Sequence, residues 1–188
     1  TETKIFYFFD TLSGVEFLHK NRVLHLDIKP ENIVIFNKRA KIIDFSLSAI
    51  VPDIRSGIDT EIIRISQLYR PLENLNGDLN YSEKSDVWSL GMLLANMFGD
   101  IADDDEDDDD LFIKDIKHAT KPETIKKHLS NVENEFRKSL TDIVIACLKI
   151  DKKSRPSVSS IMKNNVFSKL QKYKGTINKS HIVDDYND

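Results

Sequence analysis

The residues from His25 to Asn32, read with Asp44, have the types and spacing needed to move a phosphoryl group. His25-Leu26-Asp27-Ile28-Lys29-Pro30-Glu31-Asn32 sets an acid, a base and an amide at fixed offsets on one short polar segment between apolar runs. Transfer of a γ-phosphoryl group to an alcohol asks the protein for little covalent chemistry. It asks for an acceptor for the hydroxyl proton, cations along the phosphates, and alignment. Asp27 can accept the proton or orient the hydroxyl, and Lys29 can neutralise charge on the moving group. Asn32 and Asp44 offer the hard oxygens that Mg²⁺ prefers.

Flanking elements must position these groups. Ile5, Phe8, Leu12 and Val15 repeat at helical spacing, which predicts a first helix from about Thr3 to His19. Lys20-Asn21-Arg22 ends it, and Val23-Leu24 reads as a short buried strand. Ile33 to Phe36 and Ala40 to Ile43 are two β-rich runs around Asn37-Lys38-Arg39, the pattern of a hairpin. A turn centred on Lys38 pairs Phe36 with Ala40 and so sets Asn32 opposite Asp44. Residues 44 to 73 lack a long period and read as an ordered loop of about 30 residues, a length that in compact domains usually carries function. Tyr81 to Gly99 predicts a central buried helix, with Ser82 or Ser85 as its cap and Gly99 at its end. Shorter helices are expected over about Lys121 to Leu129, Glu133 to Leu148 and Ser157 to Lys163.

Composition excludes several classes of function. A chain of 188 residues with 40% apolar and 31% charged residues is an ordinary single globular domain. Cys147 is the only cysteine, so no internal disulfide can form and no zinc site is spelled out. It lies on an apolar helix face and reads as core. No apolar run approaches the roughly 20 residues that span a bilayer, and the first residues do not form a signal peptide. An intracellular location, cytoplasmic or nuclear, follows as the expectation. The net charge is −4, and residues 103–110 are eight consecutive acids, so taking their charge away leaves +4. That excess is too small for a nucleic-acid binder. The acidic run reads as a solvated loop, with attraction for basic substrates as its sharper reading.

The same residues carry a family resemblance. HLDIKPENIVI resembles the HRDLKPENIL-type catalytic loop of eukaryotic-like protein kinases, and IIDFS resembles their Asp-Phe-Gly motif. In order, SQLYRPLENL, SDVWSLGMLLANM and CLKIDKKSRPSVSSIM resemble the end of the activation segment, the central helix and the closing segment. The resemblance spans about residues 3 to 168, and its wording is nearest the cyclin-dependent-kinase-like branch. It implies a mainly α fold, a kinase C-lobe with a small β-hairpin beside the catalytic loop. Residues 1–168 would form that lobe, with 169–188 a polar tail. No Gly-rich loop and no strand lysine precede the first helix, so the N-lobe is expected to be absent.

By position, the resemblance implies that Asp27 is the catalytic base and Lys29 its phosphate-contacting partner. Glu31, Asn32, Val34 and Asp44 would face the nucleotide, Val34 as the floor under adenine and Asn32 and Asp44 as the Mg²⁺ ligands. His25 and Phe45 would support the loop, and Ser66 would bridge to the base, favouring Ser or Thr acceptors. Glu73 and Arg155 would form a buried pair, and Asp86 would hold the catalytic-loop backbone. ATP and Mg²⁺ are the implied cofactors. The implied partners are a protein substrate, basic if the acidic run attracts it, and a kinase partner or separate N-lobe. No nucleic acid or membrane is implied.

Three departures from the family pattern stand out. Leu26 replaces the catalytic-loop arginine, which predicts no phosphate switch at the loop. Ser46 replaces the glycine after Asp44-Phe45, removing the freest backbone position of that turn. Pro71-Leu72-Glu73 reorders the usual Ala-Pro-Glu but keeps its acid. The competing reading is a catalytically inactive kinase-like lobe that regulates or mimics a kinase. A small-molecule phosphotransferase shares a similar loop, but Lys29, YRPLE and SDVWSLG argue against it.

Overall fold

The computed structural model describes residues 1–60, 67–99, 101 and 109–170. The described chain is mainly helical with three small two-stranded sheets. Helix α1, Glu2–Lys20, buries Ile5, Phe6, Phe8, Phe9, Leu12 and Val15, so most of its circumference faces protein. Helix α3, Glu83–Asn96, is the centre of the core, with an unbroken buried run from Ser85 to Ala95. Both predicted caps act at its start. Ser82 Oγ accepts from the Lys84 amide at 3.3 Å, and Ser85 Oγ accepts from the Ser82 amide at 3.2 Å.

Helix α6, Asn134–Cys147, lies against α3. An added Cβ at Gly91 would sit 2.7 Å from the Cys147 Cβ, so Gly91 sets how closely these two helices approach. Cys147 is buried, and burial pushes its thiol up to about 12 despite the nearby Arg155 charge. A short α2, Leu72–Leu75, precedes α3; α4, Asp109–Ala119, and α5, Pro122–His128, follow it, and α7, Val158–Met162, with α8, Asn165–Ser168, closes the described chain. Neither α2, α4 nor α8 is predicted from the sequence. The amphipathic turns of α4 are hidden there by the acidic run in front of them. Of that run, 103–108 lie outside the described residues, as does the expected tail from 171 onward. No helix among the described residues is long and apolar enough to cross a membrane.

The strands form three separate antiparallel pairs. β2, Ile33–Phe36, pairs antiparallel with β3, Arg39–Ile42, in the register Ile33 with Ile42 and Phe36 with Arg39. This corrects the expected pairing. The turn has two residues, Asn37 and Lys38, both at positive φ (48° and 62°). Such a turn matches the right-handed twist of the strands, whereas a three-residue turn would need a bulge. Asn32 therefore lies opposite Ile43, whose amide donates to the Asn32 carbonyl at 3.0 Å, and Asp44 is one residue farther along.

A buried carboxylate also favours this register. Asp10 of α1 accepts from Arg39 Nε and Nη2 at 2.8 and 2.7 Å and from the Ala40 amide at 3.0 Å. Shifting β3 by one residue would turn Ala40 out and carry Arg39 away from that acid.

The expected loop after Asp44 has short structure of its own. β4, Ala49–Ile50, pairs with β1, Val23–Leu24, and β5, Ile58–Asp59, pairs with β6, Asn80–Tyr81. Gly57, at φ 70°, enters the second pair where an added Cβ would collide with the Tyr81 carbonyl.

Candidate active site

The segment after β1 is fixed from below by Asp86, in the first turn of α3. Its side chain is fully buried and accepts from three donors. The Leu26 amide reaches Oδ1 at 2.8 Å, and the His25 amide and His19 Nε2 reach Oδ2 at 3.0 and 2.8 Å. Burial alone would raise the Asp86 carboxyl. The His19 hydrogen bond and charge, with the two loop amides, overcome it and hold the group below the ordinary carboxylate range. These bonds accompany an unusual backbone, because Leu26 has φ 67°. A bulky residue in the left-handed region persists only where its surroundings over-determine it.

Above this base, Asp27, Lys29 and Asn32 are brought together. Lys29 Nζ lies 3.0 Å from Asp27 Oδ2. Asn32 Nδ2 donates to Asp27 Oδ2 and to the Asp27 carbonyl, both at 2.8 Å. Asn32 closes a 3₁₀ turn over Pro30–Asn32, which turns its amide back onto Asp27. The other carboxylate oxygen, Asp27 Oδ1, is buried and has no hydrogen-bond partner. A buried acceptor left open is costly, and such groups collect where a ligand is to be met. With both Asn32 Nδ2 hydrogens spent on Asp27, the Asn32 carbonyl oxygen is the atom left to accept from or ligate something else.

Asp44 ends the strand β3 side of the same region. It is exposed and takes the left-handed conformation itself, at φ 60°. Asp tolerates that conformation better than most residues. The positive φ thus falls on Asp44, not on Ser46, where the sequence places the cost of losing glycine. Ser46 instead helps: its hydroxyl, and its amide at 3.1 Å from Asp44 Oδ1, hold the Asp44 carboxyl below its ordinary range.

His25 is fully buried, with Nε2 3.2 Å from the Ile43 carbonyl and its ring edge-on to Phe45 at 5.2 Å. That contact ties the two halves of the site. Glu31 and Val34 lie at the exposed surface, Val34 on the hairpin beside Ile35 and Phe36. Ser66 lies outside the described residues. As a test of metal fit, Asn32 and Asp44 supply hard oxygens from adjoining stretches of backbone. No cluster of three or more His, Cys, Asp or Glu suited to a metal exists among the described residues. Two protein oxygens suit Mg²⁺, which keeps waters and takes phosphate oxygens for the remainder.

Farther from the chemistry, Arg155 is buried with both ends satisfied. Nη1 and Nη2 meet the two Glu73 oxygens at 2.7 and 2.6 Å, Nε donates to the Lys149 carbonyl at 2.8 Å, and Nη1 also donates to the Lys84 carbonyl at 3.0 Å. The guanidinium stacks 4.7 Å over the Trp88 ring. His19 and the Asp10–Arg39 pair are absent from the sequence reading. Their signal was available: Asp10 and His19 are polar residues embedded in the apolar sequence of α1.

The family model described as "Protein kinase domain" matches residues 1–167. A protein of Acanthamoeba polyphaga mimivirus, provisionally named as a serine/threonine-protein kinase, is 30% identical over 175 residues, covering 85% of this chain and 32% of that protein. A serine/threonine protein kinase of Oryza sativa subsp. indica is 33% identical over 165 residues, covering 86% of this chain and 30% of its own length. The chain thus spans about a third of the length of these curated relatives.

Proposed function

The chain belongs to the protein kinase domain family, and from that premise we propose that it carries the base and metal-binding side of a protein serine/threonine kinase site. The observation that carries this reading is the buried, partnerless Asp27 Oδ1, whose companion oxygen meets Lys29 and Asn32, on a backbone held by Asp86. A substrate Ser or Thr hydroxyl would hydrogen-bond to Asp27. Its oxygen attacks the γ-phosphorus, the bond to the ADP oxygen breaks, and the hydroxyl proton passes to the Asp27 carboxylate. Lys29 stays beside the transferred group as its counter-charge. Asn32 and Asp44 would hold Mg²⁺, which supplies charge neutralisation along the phosphates. Val34 and its exposed hairpin neighbours offer an apolar surface that suits the adenine ring.

The chain spans about a third of the length of the curated relatives, so the activity proposed is that of the whole protein. The measurements are Mg-ATP binding and phosphorylation of a peptide by the intact protein. Asp27→Asn is expected to lower turnover by about 10²- to 10⁴-fold with folding retained, and Asp44→Ala to abolish Mg-dependent nucleotide binding. Full turnover in either variant overturns this reading. One observation favours a second reading, an inactive lobe that binds another kinase: Phe36 is 64% exposed, and Val34, two positions earlier on the same face of β2, is exposed with it. Absence of nucleotide binding, with capture of a partner through that face, would favour it.

A further inference from the structure

Leu26 combines features that call for an explanation. It is bulky, it takes the left-handed backbone conformation, and only 2% of it is exposed. The side chain is buried in a cluster separate from the main core. Leu24 comes from β1, Leu26 from the loop after it, Val51 from the segment after Asp44, and Tyr81 from the approach to α3; Leu47 and Ile54 pack around them. Three stretches far apart in sequence therefore meet in one apolar cluster that includes Leu26.

Backbone bonds trace the same junction. The Val51 amide donates to the Arg22 carbonyl at 2.9 Å, the Glu83 amide to the Ile54 carbonyl at 3.1 Å, and Ser48 Oγ to the His25 carbonyl at 3.2 Å. Within the segment, the Ser56 hydroxyl donates to Asp53 Oδ2 at 2.9 Å. A phosphate on Ser56 would lie against that carboxylate, where like charges repel and the local turn would open.

We propose that Leu26 is a positioning residue, the pin of an apolar clasp whose packing, with the hydrogen bonds at the same junction, holds residues 47–58 on the catalytic loop. The clasp keeps the chain on both sides of Asp44 and Asp27 in place without a covalent modification of the segment. Burial of the cluster and the two Asp86 bonds to the loop amides hold the unfavourable backbone at Leu26. The ordering of the segment is independent of the chemistry; its consequence for phosphoryl transfer rests on the function proposed above.

Hydrogen exchange on the intact protein without nucleotide tests the clasp. Leu26→Asn keeps a residue that tolerates positive φ while removing the apolar packing. The Val51 and Glu83 amides are expected to exchange at least about tenfold faster, while the amides from Val87 to Ala95 in the body of α3 keep their protection. Leu26→Met, which restores apolar volume, is expected to recover most of it, and phosphatase treatment of the unaltered protein to change nothing.

Unchanged protection of these amides in Leu26→Asn overturns the proposal, as does a segment that phosphatase treatment loosens. If Leu26→Asn loses α3 protection as well, Val51→Thr decides. A hydroxyl in the cluster should loosen 47–58 alone, and an unloosened segment overturns the clasp. Loosening in a protein that never phosphorylates a peptide would support the clasp and count only against the proposed function.

Discussion

Two halves of the same site are built in opposite ways. Below Asp27, two charged groups are buried and matched: Asp86 with three donors, Arg155 with both Glu73 oxygens and two carbonyls. Around Asp44, the side chains are exposed, the turn is held by one serine, and apolar residues of the hairpin face outward. The difference teaches which part of the chemistry the chain prepares by itself. Placing the base requires fixed geometry, and a buried network gives it. Holding a metal with phosphates requires access, and an open hairpin end gives that.

The comparison breaks first at the buried half. Removing one partner of a buried ion pair leaves the other charge uncompensated, at a cost of about 3–5 kcal/mol. Glu73→Ala, which strands Arg155, and Asp86→Ala, which strands His19 and two loop amides, are each expected to cost that much in urea unfolding. At the open half, Phe36→Ser is expected to stay within about 0.5 kcal/mol of the unaltered protein. Equal losses at Phe36 and Glu73 would mean that the two halves are not built differently. A Glu73→Leu, Arg155→Met double substitution sharpens the point, because apolar replacement of a whole buried pair is often close to neutral.

Acid separates the halves less sharply. The Asp86 carboxyl is held below its ordinary value of 3.8 in the folded protein. Its contribution is fully present above that value and is lost as the pH falls through the lower folded one. The stability gap between the unaltered protein and Asp86→Asn is therefore expected to be constant at neutral pH and to close as the pH drops below 3.8. Unfolding curves at several acid pH values check this. Asp44 and Asp53 are also depressed but exposed, so their loss of charge should matter little to folding. A gap that widened in acid would mean that Asp86 is not held as its charged form.

What was legible in the sequence follows the same division. The spacing of Asp27, Lys29 and Asn32, the two long buried helices and both serine caps could be read because each is a local pattern. The hairpin register could not. It turns on whether Asn37 and Lys38 both accept positive φ, and on Asp10, a residue 29 positions before Arg39 whose carboxylate it binds. His19 has no ligand spacing in the sequence, and its partner Asp86 lies 67 residues on, met only when α1 and α3 are brought together. Long-range polar contacts of this kind leave no periodic trace.

The smallest predicted effect tests the open half at its one fixed point. Position 46 was read as a place where glycine's freedom had been lost, but the positive φ sits on Asp44, and Ser46 donates to its carboxylate. The Ser46 hydroxyl is the largest influence holding the Asp44 carboxyl down, with the Ser46 amide next. Ser46→Ala deletes the first and keeps the second. The Asp44 carboxyl is then expected to titrate higher than before, still not above the ordinary carboxylate value, with the urea midpoint unmoved. Ser46→Gly should match Ser46→Ala in that titration, since both lack the hydroxyl and keep the amide. An NMR titration of the Asp44 side chain reads both variants directly. If Ser46→Gly alone moves Asp44, backbone freedom at position 46 governs this end of the site; if both move it equally, the serine hydroxyl does.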